Sequence, residues 1–176
     1  MRIEDGTGKG NVAKVDDENR LRTYSVVENE MSHVSENDGL AFSWTIVGYN
    51  YTAGDTILLV RNDSDKDLHI QKVMYGSDAA TKVQIHRPAN ATLAGTAVVG
   101  VNANSKSGNV AEATAYANET GTVQGDILCE DYVAAGQQKE KDMGGAVILG
   151  KNDCIAIDLV TVGTDCMATI TGFYHD

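Results

Sequence analysis

Short apolar segments separated by turn residues recur along most of this chain, and they constrain its fold more than any other feature. From residue 41 onward, apolar and polar residues alternate with the period of a strand that buries one face. Clusters of Gly, Asn and Asp end the segments, as at residues 62–65 and 163–165. The segments are residues 42–47, 56–60, 68–75, 82–86, 96–101, 111–117, 147–149, 155–160 and 167–174. Eight or more short strands predict an all-β fold, a β-sandwich or jelly roll.

Three departures from this pattern give further predictions. Met31 and Val34 stand at helical spacing within residues 28–36, which predicts one short helix. A register change is expected near Lys72, where the alternation of its strand shifts. Polar, glycine-containing stretches predict loops over residues 102–109 and 136–145.

Residues 1–24 differ from the rest and predict an extended N-terminal arm. They contain the glycine-rich stretch 6–10 and the charged turn 16–19, and residues 20–26 are predicted to extend and pair with a neighbouring subunit. The remaining residues 25–176 are predicted to form a single β-sandwich domain, because 176 residues is an ordinary size for one domain. The apolar residues of the arm are the expected assembly interface: Ile3, Val12, Val15, Leu21 and Tyr24.

The charge of the chain limits its partners. Its formal net charge is -11 and its sequence pI is about 4.6. Binding to nucleic acid or to an anionic membrane needs clustered Lys and Arg, so neither partner is expected. The N-terminus shows no signal peptide, and apolar runs such as residues 57–60 are too short to span a bilayer. The charge favours docking onto a basic protein surface.

The residues that often carry catalysis or bind metals are not arranged for either role. Cys129, Cys154 and Cys166 are odd in number and form no CxxC pair, so free thiols are predicted. The four histidines, His33, His69, His86 and His175, have no partner at metal-binding spacing. His69 and His86 alternate with apolar neighbours and are predicted on the solvent or interface side of their strands. A dyad of a histidine with Cys129 or Cys154 stays open, although nothing in the sequence positions one.

Two further motifs fall short of a binding site. The stretch 6–10 matches neither common phosphate-loop pattern. Asp63, Asp65 and Asp67 fit the first three positions of a calcium loop, but Leu68 and Met74 stand where that loop needs glycine and glutamate. An acidic turn is therefore predicted, and we expect no catalytic residue, no bound metal and no cofactor.

Aromatic residues leave one binding function open. Trp44, Tyr49 and Tyr51 are candidates for a platform on which a sugar ring stacks, a role that many β-sandwiches have. The chain has few aromatic residues, 6% in all, so packing of Trp44 in the core is favoured.

Two stretches of the sequence resemble a group of tailed-phage structural proteins. The first is the opening, residues 3–10 with residues 13–16 and 19–21, and the second is residues 107–114. The closing strands, 155–159 and 167–174, fit the same group. The resemblance implies a non-enzymatic virion protein that is made in the host cytoplasm, with a jelly-roll capsid decoration subunit or a tail-associated subunit as the leading forms. It also implies the major capsid protein or other virion proteins as partners, and a homo-oligomer that we expect to be a trimer.

Three functions are therefore carried forward. The first is a capsid decoration (cement) protein that binds neighbouring capsid subunits. The second is a tail or neck protein at the head–tail junction. The third is a glycan- or receptor-binding β-sandwich module, which would show an exposed aromatic patch.

Overall fold

The computed structural model describes residues 29–51, 56–89, 91, 93–119, 122–161 and 163–175 of the chain. These residues form one helix, α1 (Glu30–Asn37), and eleven strands. The strands are β1 (Ala41–Tyr51), β2 (Thr56–Asn62), β3 (Asp67–Ser77), β4 (Thr81–Arg87), β5 (Thr96–Val98), β6 (Val101–Asn102), β7 (Ala113–Glu119), β8 (Asp126–Val133), β9 (Gln138–Leu149), β10 (Cys154–Leu159) and β11 (Gly163–His175). The predicted all-β sandwich with one short helix is confirmed.

The strands form two antiparallel sheets that pack face to face. The five-stranded sheet has the order β6-β1-β11-β3-β9, and the six-stranded sheet has the order β5-β7-β2-β10-β4-β8. Eight of the strands pair in a nested way: β1 with β11, β2 with β10, β3 with β9, and β4 with β8. The short strands β5, β6 and β7 lie between β4 and β8 in the sequence and extend the opposite edge of each sheet.

The main core lies between the two sheets. In β10, Ile155, Ile157 and Leu159 face inward and join this core, while Ala156 and Asp158 face outward. Both sheets contribute apolar side chains to this core. The largest fully buried ones include Trp44, Tyr75, Phe42, Leu58, Leu68 and Ile70. Burial of these side chains is the main source of stability for the sandwich.

Helix α1 covers part of the outer face of the five-stranded sheet. The side chain of Asn29 caps the helix by accepting a hydrogen bond from the Met31 amide at 2.9 Å. Val34 packs on Ala41 and Phe173, which form a small second core with it. The predicted helix is therefore confirmed, and the helical spacing of Met31 and Val34 reflects this contact.

The register change expected near Lys72 is also confirmed. The pairing of β3 with β9 shifts between Ile70 and Lys72, and the pairing of β3 with β11 shifts at the same place. A bulge of this kind lets one strand keep its apolar residues on the core side along its full length.

Two predictions about strands are wrong. The predicted strand 96–101 is divided into β5 and β6, which belong to different sheets. The chain crosses between the sheets at Gly100, where a side chain would meet Trp44 Nε1 at 2.6 Å. The predicted loop 136–145 lies largely within β9, and the neighbouring β8 was not among the predicted strands. Both β8 and β9 are edge strands, and burial alternates along much of each, but their apolar and polar residue types do not alternate in step with it.

Candidate interaction surface

Strands β8 and β9 form one exposed side of the sandwich. Each is the last strand of its sheet, and they are joined through residues 134–137. Asp131 of β8 accepts hydrogen bonds from Tyr75 Oη at 3.1 Å and from Lys139 Nζ at 2.8 Å, so the two strands are tied together. At the other end, Arg87 Nη2 donates to the Ile148 carbonyl oxygen at 2.9 Å. We call these two strands the β8–β9 edge.

Large apolar side chains are exposed along the β8–β9 edge. The exposed fractions are 49% for Ile127, 39% for Leu128, 66% for Tyr132 and 40% for Ile148. Strand β8 has a β-bulge at Leu128, because Cys129 pairs with Ile85 and Ile127 pairs with the next residue of β4, His86. Among the described residues, neither strand has a partner on its outer side, so its backbone groups remain available there. A long apolar edge strand is a template for pairing with another chain.

Hydrogen bonds and ion pairs fix the acidic residues of β8. Glu130 accepts from Gln84 Nε2 at 2.6 Å and pairs with Lys82 Nζ at 3.1 Å, and these contacts lower the pKa of its carboxyl group. The hydrogen bond to Lys139, then that to the Tyr132 amide, lowers the pKa of Asp131. Both carboxylates are therefore charged at neutral pH, and β8 contributes Asp126, Glu130 and Asp131 with no basic residue of its own.

The charged residues of β9 disfavour pairing of this strand with a second copy of itself. Lys139 and Lys141 lie opposite Tyr75 and Val73, while Glu140 lies opposite Met74 on the other face. If two copies of β9 paired in antiparallel fashion to continue one sheet, each residue would oppose one on the same face. In a register centred on residue 140 or 141, a lysine would oppose a lysine, and Glu140 would oppose Glu140 or Asp142, which is unfavourable. Strand β9 therefore resists pairing with itself, as charged edge strands in many proteins do.

The opposite side of the sandwich also carries apolar residues. Val99, Val101 and Val110 are strongly exposed there. Val99 and Val110 border a shallow groove of about 290 Å³, together with small residues of β5 and β7. Beneath Gly100, which also lines the groove, Trp44 is fully buried and its indole N–H has no acceptor among the described residues. The strands at this side contain only two and three residues, which limits the backbone they can offer to a partner.

His86 lies on the predicted side of its strand, but it is buried there. It was expected on the solvent side of β4, and it does face outward from the core, but its side chain is fully buried. Gly125 donates its backbone N–H to His86 Nδ1 at 3.5 Å, and the other ring nitrogen is Nε2. That nitrogen lies 2.8 Å from Asp158 Oδ2, although poorly aligned for a hydrogen bond, and Thr56 Oγ1 donates to Asp158 Oδ1 at 2.7 Å. The group resembles part of a catalytic triad but is closed to solvent.

The cysteines that were candidates for a catalytic dyad lie elsewhere. The pKa of Cys154 is raised to about 11 and that of Cys166 to about 12, mainly through burial. Both therefore remain neutral thiols at physiological pH, and a neutral thiol is a weak nucleophile. Cys129 is partly buried and faces the core from β8.

The acidic turn has separate partners for its carboxylates. Asp63 pairs with Arg61 Nε at 2.6 Å and accepts a hydrogen bond from Thr114. Asp65 pairs with Lys151 Nζ at 2.6 Å. In the described part of the chain, no three His, Cys, Asp or Glu residues come together as metal ligands would. The carboxylates of this turn thus point to different cationic groups.

Two of the three aromatic residues considered for a sugar platform, Trp44 and Tyr51, are placed in the core, and the side chain of Tyr49 lies outside the described part of the structure. Trp44 is fully buried and Tyr51 nearly so, and Tyr51 Oη donates to the Thr161 carbonyl oxygen at 2.5 Å. The core position predicted for Trp44 is confirmed. An exposed aromatic side chain is instead found at Tyr132 on the β8–β9 edge.

The predicted assembly residues of the arm, Ile3, Val12, Val15, Leu21 and Tyr24, lie outside the described residues. Helices in the described regions are too short or too polar to cross a membrane. No protein-family model matches the chain, and no curated protein or solved structure is significantly similar to it.

Proposed function

We propose that this chain is a structural subunit of a tailed-bacteriophage particle, a capsid decoration protein that binds neighbouring capsid subunits. In this proposal it has no enzymatic role, it needs no cofactor, and its partners are the major capsid protein and further copies of itself, expected as a trimer. The observation that carries the proposal is the β8–β9 edge, where two long strands combine free backbone groups with exposed Ile127, Leu128 and Tyr132. Such an edge is suited to protein assembly by strand addition.

The strand order supports a jelly roll for this sandwich. With β5–β7 set aside, the order β1-β11-β3-β9 faces the order β2-β10-β4-β8. The nested pairs behave as one long antiparallel hairpin that has been rolled into two sheets. Jelly rolls of eight strands are common in viral capsid proteins.

The residues that carry the resemblance to phage structural proteins add to this support. Residues 107–114 lie between β6 and the start of β7 and include the exposed Val110. The closing segments fall within β10 and β11. An exposed apolar side chain in this segment fits a role in contacts between subunits.

A tail or neck position is the second candidate, because the same edge could bind other virion proteins. A glycan-binding module has less support, since Trp44 and Tyr51 are buried and cannot stack on a sugar. A glycan array with the purified chain tests that alternative directly.

Particles provide the test of the main proposal. Phage particles purified on a density gradient would be analysed by mass spectrometry, and immunogold labelling would locate the chain by electron microscopy. We expect the chain on the head surface. Labelling at the neck or tail would overturn the decoration role in favour of the second candidate, and absence from particles would overturn both.

Variants test whether the proposed surfaces act in assembly. Deletion of residues 1–24 should leave a folded sandwich that no longer enters particles. Leu128→Lys should also reduce incorporation, because it places a charge on the apolar edge. Val160→Lys is a matched control, since Val160 is exposed to a similar degree, 46%, but lies after β10. Equal incorporation of Leu128→Lys and Val160→Lys would contradict a role for the edge.

A further inference from the structure

We propose that residues 20–26 of one copy bind along β8 of a second copy as an added antiparallel strand. In the proposed register Arg20 lies beside Tyr132, Arg22 beside Glu130, and Tyr24 beside Leu128. This inference rests on the proposed assembly function, and it names the segment that binds the β8–β9 edge.

Strand β8 is the edge that best accepts another strand. Strands β5 and β6 contain three and two residues, too few for a stable ladder. Strand β9 is long, but its lysines lie on one face and Glu140 lies on the other. Pairing of two β9 strands near these residues would therefore place like charges opposite each other. Strand β8 has eight residues, three of them large, apolar and strongly exposed. It therefore offers both backbone groups and apolar contacts.

Charge complementarity identifies the segment that fits. Residues 29–176 contain nine Lys and Arg against nineteen Asp and Glu, so basic stretches are scarce in the domain. The segment 20–26 has Arg20 and Arg22 and no acidic residue, whereas β8 has Asp126, Glu130 and Asp131 and no basic residue. Opposite charges across neighbouring strands are favourable.

The faces of the two strands determine the register. Glu130 and Tyr132 pair with Gln84 and Lys82 of β4 and share the outward face with them. Residues 20, 22 and 24 of a strand share one face, because side chains alternate with period two. Placing that face outward sets Arg22 against Glu130, where Lys82 and Gln84 already hold the carboxylate, and sets Arg20 against the ring of Tyr132. It also sets Thr23 directly opposite the native Cys129.

The length of the chain before the helix is compatible with this arrangement. Residue 26 precedes Asn29, the cap of α1, by three residues, which span at most about 10 Å. The helix of the donor copy would therefore lie next to the Ile127 end of the acceptor's β8. Exchange of an identical segment between copies is a low-cost way to link subunits.

A disulfide cross-link tests the register. Thr23→Cys should form a disulfide with Cys129 of another copy under mild oxidation, because opposite residues in a ladder have Cα atoms within disulfide range. The full-length chain would be used, with one tagged copy carrying Thr23→Cys and Cys129→Ser and an untagged copy that keeps its three native cysteines, Cys129 among them. We expect a disulfide-linked pair of tagged and untagged chains, with the 23–129 link identified by mass spectrometry.

Controls make each outcome decisive. Ser25→Cys lies on the same face but two residues out of register, so it should give several-fold less product. Arg22→Glu and Glu130→Arg should each reduce the cross-link, and their combination should restore it. Absence of the link, or equal linking by Ser25→Cys, would each overturn the proposal. Incorporation into particles is measured without oxidation, so failure here leaves the proposed function to its own test.

Discussion

At the residue scale, the clearest feature is a polar group buried on the outer face of a sheet. His86, Asp158 and Thr56 come from three adjacent strands, β4, β10 and β2. All three are buried, and Gly125 contacts the His86 ring through its backbone N–H. Buried polar groups are tolerated when they satisfy one another, and removing one member leaves the others without partners. The group therefore fixes how three strands and one covering segment fit together.

The first prediction concerns this group. Asp158→Ala should lower the free energy of unfolding by about 2–4 kcal/mol, because the buried Thr56 hydroxyl loses its acceptor and the buried His86 Nε2 loses the polar atom next to it. Urea denaturation followed by fluorescence would measure the change. Asp126→Ala is the control, since Asp126 is exposed, and its effect should be within about 0.5 kcal/mol. Equal effects of the two variants would contradict the structural role of Asp158.

The second prediction concerns the pH dependence of stability. The pKa of Asp131 is lower in the folded chain, mainly through its hydrogen bond to Lys139. Its contribution to stability is therefore complete above the unfolded pKa, about 4, and is lost as the pH falls through the folded value. Asp131→Asn should flatten the loss of stability between neutral pH and pH 3, measured as the denaturation midpoint. Asp126→Asn should leave that loss unchanged, and a flattening of the same size in both variants would show that the effect is not specific to Asp131.

At the scale of elements, the segment around residues 122–125 acts as a cover for the six-stranded sheet. Ala89 N donates to the Val123 carbonyl oxygen at 2.9 Å, so two connecting segments join over the sheet. Gly125 allows this close approach, because a Cβ at that position would lie 2.1 Å from the Arg87 carbonyl oxygen. The position of the cover thus depends on the absence of a side chain.

The third prediction tests this close approach. Gly125→Ala should destabilise the domain by about 1–3 kcal/mol, because the new methyl group meets backbone atoms that cannot rotate away. Gly108→Ala is the matched control, since a Cβ there has no neighbour within 4 Å. Thermal denaturation followed by circular dichroism would give the melting temperature of each variant. A melting temperature for Gly125→Ala equal to that of Gly108→Ala would contradict the packing described for the cover.

At the scale of the whole molecule, the nested pairing means that distant parts of the chain must meet early in folding. Strand β1 pairs with β11, so the first and last strands lie side by side. Closing such long loops before contacts form makes folding slow. The same pairing encloses Trp44, the only tryptophan, at the centre of the core.

The fourth prediction follows from this topology. Refolding from urea should take milliseconds to seconds, as for other sandwiches dominated by distant contacts. Stopped-flow fluorescence of Trp44 would measure it, because that side chain passes from water to the core. Trp44→Phe, which lacks the signal but keeps an aromatic core residue, would confirm the source of the change. A microsecond refolding phase that recovers the full signal would contradict the prediction.

The sequence by itself determined the elements whose two faces lie in different surroundings. Strands such as β4 and β10 and the helix α1 were predicted because burial on one face repeats with the local period of the backbone. The register change at Lys72 could be predicted for the same reason.

The tertiary structure alone decided which strands lie at the edges and what covers the outer faces. Each of the strands β8 and β9 has one face turned inward, but polar residues such as Asp131 and Lys139 stand on that face, so the residue types do not show the alternation from which a strand is predicted. His86 has the sequence pattern of an exposed residue, yet it is fully buried, and its ring contacts Gly125 and Asp158, which lie far from it in the sequence. Contacts between residues far apart in the sequence leave no local period, and the candidate surface of this protein is built from such contacts.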